Sequence, residues 1–440
     1  MKARKHSEAQ SEEIATAGEV FGDGKVIELI RDAAPNGKLR LLDWNGSRGK
    51  PLERCTVADR TYVPISHDPP IARALVLPSG TRPYGSTRQL FDEISSLVFS
   101  VTRWPERAVT PFVFYVLATW LFEFLPAAPC LWITVPPAAS TGTLLQIINL
   151  LCRRTLFLTE ATVAAFRLFP TQLKPTVVTE VSTITYPLLQ LLRTSSRRGF
   201  LSASGGKWVD AFCAKIVVSR QAPRDPEAAG FPLEIVLPPS GEYIPRLDAF
   251  EADRIASEFQ PKLLEYRLVN HQKITKPSFE IRGFSAPMRE LAYDLGACVV
   301  GDEGLQGQIL AHLEKDDREI QVNRSSLLES IVLEALLAEC HDPQVSNVSV
   351  TDLTTSVNTI LAARGEAREV SPENVGWKLR HIGLRTVPVT GGCKGLALPN
   401  EIRSEIHALA AGYGVRALYH GTGEGKCPEC KAIQEEKKAG

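Results

Sequence analysis

No lysine occurs between Lys50 and Lys174 of this 440-residue chain. Over that stretch no ammonium group is available to neutralise a phosphate. The chain also lacks net charge, with 50 Lys and Arg against 50 Asp and Glu, so no global field draws it toward nucleic acid or an acidic membrane. Any basic surface must be local. Its nine cysteines have no regular spacing, and several sit in apolar runs such as Leu151-Cys152 and Phe212-Cys213. That pattern fits reduced core thiols in a cytoplasmic protein rather than a disulfide framework. Residues Met1 to Glu13 are polar and lack the apolar core of a signal peptide. The greasiest stretch, Pro111 to Leu131, is broken by Glu123, Pro126 and Pro129. Its uninterrupted part falls short of the ~20 residues a bilayer span needs, so a buried helix is expected and no membrane partner. There is no internal repeat.

What is present divides the chain. Residues 1–80 carry short strand-like runs (Lys25–Ile30, Leu39–Leu42, Thr61–Ile65) punctuated by Asn36-Gly37, Asn45-Gly46 and Asp68-Pro69-Pro70, which predicts a small β-rich module. From 81 to 275 strands alternate with helices, which predicts an α/β core around a parallel sheet covered on both faces. Within it, residues 250–275 read as a helix interrupted at Pro261. A helical region follows over 276–345, a compact unit over 346–416, and a charged tail over 417–440.

The most informative segment is Trp132-Ile133-Thr134-Val135 followed by Pro136–Gly142 and an apolar helix from Thr143. An apolar strand, a small-residue loop and a helix start form the layout of a phosphate-binding loop. Further on, Pro175–Val181 reads as a second buried strand ending in an acid, Glu180. In GxxxxGK[ST] the backbone amides wrap the phosphates, the Lys neutralises them and the hydroxyl holds Mg²⁺. Here Val135 falls on the first Gly, Ser140 on the second, Thr141 on the Lys and Gly142 on the Ser/Thr. Shifting by one puts Gly142 on the second Gly and leaves Thr143 and Leu144 where Lys and Ser/Thr belong. Neither register supplies the cation. In the second motif Glu180 can stand in for the metal-holding acid, while Val181 replaces the acid that orients water. Charge-assisted hydrogen bonds are worth about 1.5–3 kcal/mol each, so losing these groups together leaves turnover negligible. The other reading of the same residues is a plain strand–turn–helix crossover that never bound nucleotide.

The phrases Thr119-Trp120-Leu121, Ala128–Ile133, Leu151–Arg154, Lys174-Pro175-Thr176, Ser196–Gly199 and Lys262–Asn270 bear on that choice. Through them the chain, from Tyr84 to about Ile274, resembles bacterial, mobile-element-associated P-loop ATPases of the AAA+ and helicase kind, which tend to lie near primase-polymerase genes. The resemblance implies an AAA+-like fold with degenerate motifs. Where that family carries an arginine suited to a neighbour's γ-phosphate, this chain has Phe231. The resemblance thus implies a pseudo-ATPase with no catalytic residue and no cofactor, ATP and Mg²⁺ entering only if the remnant site still binds them. Arg197-Arg198 reads equally as a basic contact or as a solvated helix end.

In the 346–416 unit, Val350, Leu353, Val357, Ile360 and Leu361 share one helical face. Ser371-Pro372-Glu373 starts a second helix, with a capping Ser and Pro in the first turn. Val375, Leu379 and Ile382 are its buried side, and Gly383 ends it. Leu384–Val389 and Lys394–Leu398 then read as a β-hairpin, which completes the order of a winged helix-turn-helix. The outward positions Asn374, Trp377, Arg380 and His381, with Lys378 at the border and Arg385 and Lys394 beside the hairpin tip, suit a major groove and its phosphates. Eight Lys and Arg against six Asp and Glu between Ser346 and Arg416 make a thin basic excess, so partner docking stands beside DNA binding. Cys427 and Cys430, with His420 upstream and Cys393 elsewhere, form at most half a zinc site, and two free thiols in a tail is the competing reading. The function expected is a DNA-binding or replication-complex component, partnered by DNA, by copies of itself or by a replication protein. An active DNA-dependent ATPase and a non-enzymatic scaffold remain the alternatives.

Overall fold

The computed structural model describes residues 13–33, 37–65, 69–137, 139–159, 162–167, 170–204, 207–223, 230, 232–239, 244–274, 284–325, 327–342, 344–366, 369–389 and 392–415. Phe231, His420, Cys427 and Cys430 lie outside them. The chain divides into two compact units, residues 1–281 with 286–312, and residues 282–285 with 313–440.

The first unit opens with seven strands, β1 (Glu13–Thr16), β2 (Gly18–Val20), β3 (Val26–Arg31), β4 (Leu39–Trp44), β5 (Gly49–Leu52), β6 (Cys55–Val57) and β7 (Arg60–Pro64). They form a sheet of order β1-β7-β6 and another of order β2-β3-β4-β5. A short helix, α1 (Pro69–Ala74), leads to α2 (Thr87–Thr102) and α3 (Glu106–Leu121). The core then runs β8 (Cys130–Thr134), α4 (Gly142–Leu151), β9 (Thr155–Leu158), α5 (Val163–Arg167), β10 (Thr176–Val181) and α6 (Tyr186–Thr194). A hairpin of β11 (Leu201–Ser204) and β12 (Lys207–Asp210) precedes β13 (Ala214–Ser219) and β14 (Leu233–Val236). Five of these strands make one sheet of order β14-β8-β13-β10-β9, with every neighbouring pair parallel. The fold of this unit is therefore mixed α/β around a parallel sheet.

Both faces of that sheet are covered, as parallel sheets require. On one, Tyr115 of α3 donates its hydroxyl to the Lys215 carbonyl at 2.7 Å, and the Trp120 indole N–H reaches the Leu151 carbonyl at 2.9 Å. On the other, Phe166, Leu188, Leu189 and Leu192 of α5 and α6 pack with Trp132, Val177 and Val217. The stretch Glu106–Phe124 is long and apolar enough to cross a membrane, but 78% of its apolar window is buried within the protein.

The helix expected to break at Pro261 does not break. α7 runs unbroken over Ala249–Ile274 with Pro261 inside it. Proline costs the Ser257 carbonyl its partner within the helix, and Ser257 is exposed there. Two more helices, α8 (Ala286–Ala297) and α9 (Glu303–Ser325), follow, and the division between the units falls within α9.

The front strands join the core at edge strand β9, where Leu156 and Leu173 pack among Ile27, Leu29 and Leu41. Beside that join lies a buried charge cluster. Glu28 of β3 receives Arg153 at 2.7 Å, Arg267 at 3.1 Å, and Arg154. Glu123 receives Arg153 at 2.9 Å, Lys174 at 3.3 Å, and Arg267. Burial opposes charge on both acids, yet the surrounding guanidiniums outweigh it. Glu28 is held below the usual carboxylate range and Glu123 well below it. Arg154 is pushed down to about 10 by burial and the Arg153 charge.

The second unit contains α10 (Leu328–Cys340), β15 (Asn347–Ser349), α11 (Val350–Ala363), α12 (Pro372–His381), β16 (Val387–Pro388), β17 (Lys394–Ala397) and α13 (Asn400–Gly412). Its three strands pair antiparallel in the order β15-β17-β16. One apolar core unites Ile331, Leu333 and Leu336 of α10 with Leu353, Val357, Val375, Leu379, Leu396 and Ile406. The core thus takes in a helix that precedes residue 346.

Candidate functional site

In an open parallel sheet, ligands bind beyond the carboxyl ends of the strands, where neighbouring strands send their chains in opposite directions. Here that point lies between β8 and β13: β8 leads by way of α4 to β9 at one edge, and β13 leads to β14 at the other. The loop after β8 occupies it. Val135 continues the β8–β13 ladder by donating its amide to the Ser219 carbonyl at 2.8 Å, and it is buried. Pro136 and Pro137 bring no N–H. The Ala139 amide turns back to the Pro136 carbonyl at 3.2 Å. Arg220, just past β13, donates to the Pro136 carbonyl at 2.6 Å and to the Ala139 carbonyl at 3.1 Å. The loop therefore offers carbonyl oxygens to a cation of its own chain.

Several neighbouring side chains are spent in the same way. The Thr141 hydroxyl donates to Glu180 Oε1 at 3.1 Å, joining the two residues aligned with the Lys and the metal-holding acid. The Gly142 amide reaches Ser140 Oγ at 3.4 Å. Thr143 gives its hydroxyl to the Pro245 carbonyl at 2.9 Å, and Gln146 exchanges two 2.9 Å bonds with the backbone of Leu247. This strap lays Arg246 across the start of α4. A Cβ on Gly142 would come within 2.5 Å of Arg246 Nε, so only glycine fits without moving the arginine. Val181 is buried in the apolar cluster with Trp132 and Leu188 and cannot reach a ligand.

Sequence reasoning missed both arginines at the loop. Arg220 follows β13 and Arg246 lies about a hundred residues beyond the loop, so no local spacing signals either. It also missed the β11–β12 hairpin, whose Trp208 is 75% exposed. The signal there was Gly205-Gly206 between two four-residue runs. Arg198 is spent on the carbonyls of Glu123 and Leu125 and lies 5.0 Å from the Phe212 ring, so it serves the fold.

In the second unit, Ser371 caps α12 by accepting the Asn374 amide at 3.4 Å, and Gly383 ends the turn with φ 95°. Val375, Leu379 and Ile382 face inward. Asn374, Trp377, Arg380 and His381 are exposed, as are Arg385 and Lys394 on the segments flanking the hairpin tip. The Trp377 and His381 rings stack at 5.3 Å and 16°, making a flat aromatic surface on the helix. Lys378 differs from its neighbours: its ammonium pairs with Glu329 at 2.6 Å and sits 5.0 Å from the Trp377 ring. Among the described residues no three His, Cys, Asp or Glu cluster as a metal site.

No protein-family model matches the chain, and no curated protein matches it. Among solved structures it is similar to a full-length MCM homolog from Methanopyrus kandleri, at 10% identity and TM-score 0.36, over 67% of this chain and 74% of that one. It is likewise similar to the apo C-terminal region of NrS-1, at 11% identity and TM-score 0.36, over 85% of this chain and 97% of that one. A third is Cdc6p from Pyrobaculum aerophilum, at 12% identity and TM-score 0.19, over 73% and 96%. Likeness this loose transfers no function.

Proposed function

We propose that this chain is a catalytically degenerate P-loop protein of a mobile genetic element, acting in the cytoplasm as a DNA-binding component of a replication complex, with an AAA+-like core and a C-terminal winged helix. The observation that carries the first half is the direct bond between Thr141 and Glu180. In a working site both positions turn toward nucleotide and Mg²⁺, whereas here they satisfy one another. The Arg220 bonds to two loop carbonyls support the same reading, because a cradle for phosphate needs amides at that surface.

The second half rests on α12. The order helix, strand, helix, helix, hairpin supports a winged helix, with α12 as the recognition helix and the β16–β17 hairpin as the wing. Arg380, Arg385 and Lys394 would meet phosphates, and Asn374, Trp377 and His381 would meet base edges. Lys378, held by Glu329, contributes less than the sequence alone implies. Copies of the chain, or a second replication protein, would assemble on the core.

The test is fluorescence anisotropy of full-length protein on duplex and single-stranded DNA across a salt series. The combined change Arg380→Ala, Arg385→Ala, Lys394→Ala should flatten the slope of log K against log salt by about 2–3. Binding that ignores both salt and these substitutions would leave partner docking as the role of this unit. A second reading of the loop, nucleotide held without turnover, is favoured by one observation: Arg246 brings a guanidinium to the start of α4.

A further inference from the structure

A second polar site lies at the opposite end of the parallel strands, where β8 begins. Its floor is Ala128, Pro129 and Cys130, and its volume is about 300 Å³. One wall is the turn after α6, which is locked to the strand leading into β8. The Ala128 amide donates to the Ser196 carbonyl at 2.7 Å, and Ala127 bridges Arg197. The other wall is α8, which presents Glu290 and Asp294 one turn apart on the same face.

Asp294 is what makes this chamber unusual. It is 5% exposed, it lines the space, and its Oδ1 has no hydrogen-bond partner. A buried carboxyl oxygen without a donor costs about 1–3 kcal/mol or more, so a bound group that supplies the donor is favoured there. Across the chamber, Arg197 makes no ion pair with either acid, so the two walls stand apart with opposite charges facing each other. Arg193 lines the same wall as Arg197. Behind the floor, Lys215 is buried and gives its ammonium to Ser196 Oγ at 3.2 Å. Burial lowers its pKa, and it raises the Cys130 thiol to about 11. Burial, with the Glu290 charge adding to it, raises Asp294 to about 8. At neutral pH the chamber therefore holds a protonated Asp294 and a neutral thiol, faced by Glu290 and the two arginines.

We propose that this chamber binds a small zwitterion with a primary ammonium group, the ammonium resting on Asp294 and Glu290 and the acid group on Arg197. An ammonium supplies the donor that Asp294 lacks and restores its carboxylate. The Arg197 guanidinium then balances the ligand's own anion, which a simple amine would leave unmet. The space of about 300 Å³ readily admits a ligand the size of a short amino acid.

The experiment is calorimetric titration of the full-length protein at pH 7, in two buffers of different ionisation heat, with glycine, L-alanine and L-serine. Ethylamine and propionate serve as half-ligands. At least one of the amino acids should bind one to one and release about one proton, because Asp294 loses its proton to bind. Asp294→Asn and Arg197→Ala should each weaken it about tenfold or more, and each half-ligand should bind about tenfold or more below the whole. Glu290→Gln alters an exposed side chain and should also weaken binding, which keeps the test decisive if the Asp294 variant fails to fold. Absence of binding by all three amino acids overturns the proposal. So does binding that survives both the Glu290 and Arg197 substitutions, or ethylamine binding as tightly as the amino acids.

Discussion

Two sets of charged side chains, one in each unit of this chain, are used in opposite ways. In the first unit, a set of arginines is turned inward onto acids and carbonyls of the same unit. Arg153, Arg154 and Arg267 close on Glu28 and Glu123, Arg198 holds the turn after α3, and Arg220 holds the loop. In the second, Arg380, Arg385 and Lys394 stand at the surface beside the Trp377–His381 stack. A cation bonded to its own fold is positioning backbone, while a row of exposed cations beside aromatic rings is a surface for something else. On the proposed function, the contrast separates a structural loop with the layout of a phosphate site from a thinly charged helix that would carry recognition.

Breaking the inward network should have the largest effect. Glu28→Gln removes one carboxylate from three buried guanidiniums, and losing one member of a buried ion pair costs roughly 3–5 kcal/mol. Denaturant unfolding of the full chain should register that loss in the first unit's transition. A cost near zero would mean that water already reaches the cluster.

The same network sets a pH dependence whose sign is opposite to that of Asp294. Glu28 and Glu123 have depressed folded pKa values, so their contribution is present above the ordinary carboxylate range and is lost as pH falls through the folded values. Asp294, raised to about 8, holds its proton in the fold where the unfolded chain has released it. Its contribution therefore falls as pH rises from about 4 to about 8, and is level beyond that. Thermal melting across pH should show acid destabilisation in the wild type. Asp294→Asn should remove the decline toward pH 8 and leave the acid limb.

The smallest effect belongs to the loop. Arg220→Ala removes two hydrogen bonds from an exposed guanidinium, and about 1 kcal/mol or less is expected after solvent screening. Salt-dependent DNA binding should not change. Were Arg220→Ala to abolish DNA binding, the separation of positioning from recognition would fail.

Much of this was legible in the sequence where local patterns govern. The apolar runs of β8 and β10 gave buried parallel strands, and the Ser-Pro start and glycine stop of α12 gave its bounds within a residue or two. The β14 strand was not legible, because Leu233–Val236 lies in a five-residue run between Pro232 and Pro238 and its pairing with β8 is purely tertiary. Pro261 misled for a related reason: a proline removes one helical bond and crowds the preceding turn, yet α7 continues through it with Phe259, Leu263 and Leu264 buried on either side. The loop was half legible. The missing lysine could be read from the residues, but the arrival of Arg220 and Arg246 depends on where distant segments return.

The account stands or falls on whether the loop hydrolyses nucleotide. Turnover of ATP by the full-length protein, with and without DNA, measured beside a Glu180→Ala variant, decides it. The expected result is no turnover above background in either protein, with or without DNA. A DNA-stimulated rate in the wild type that vanishes in Glu180→Ala would contradict it.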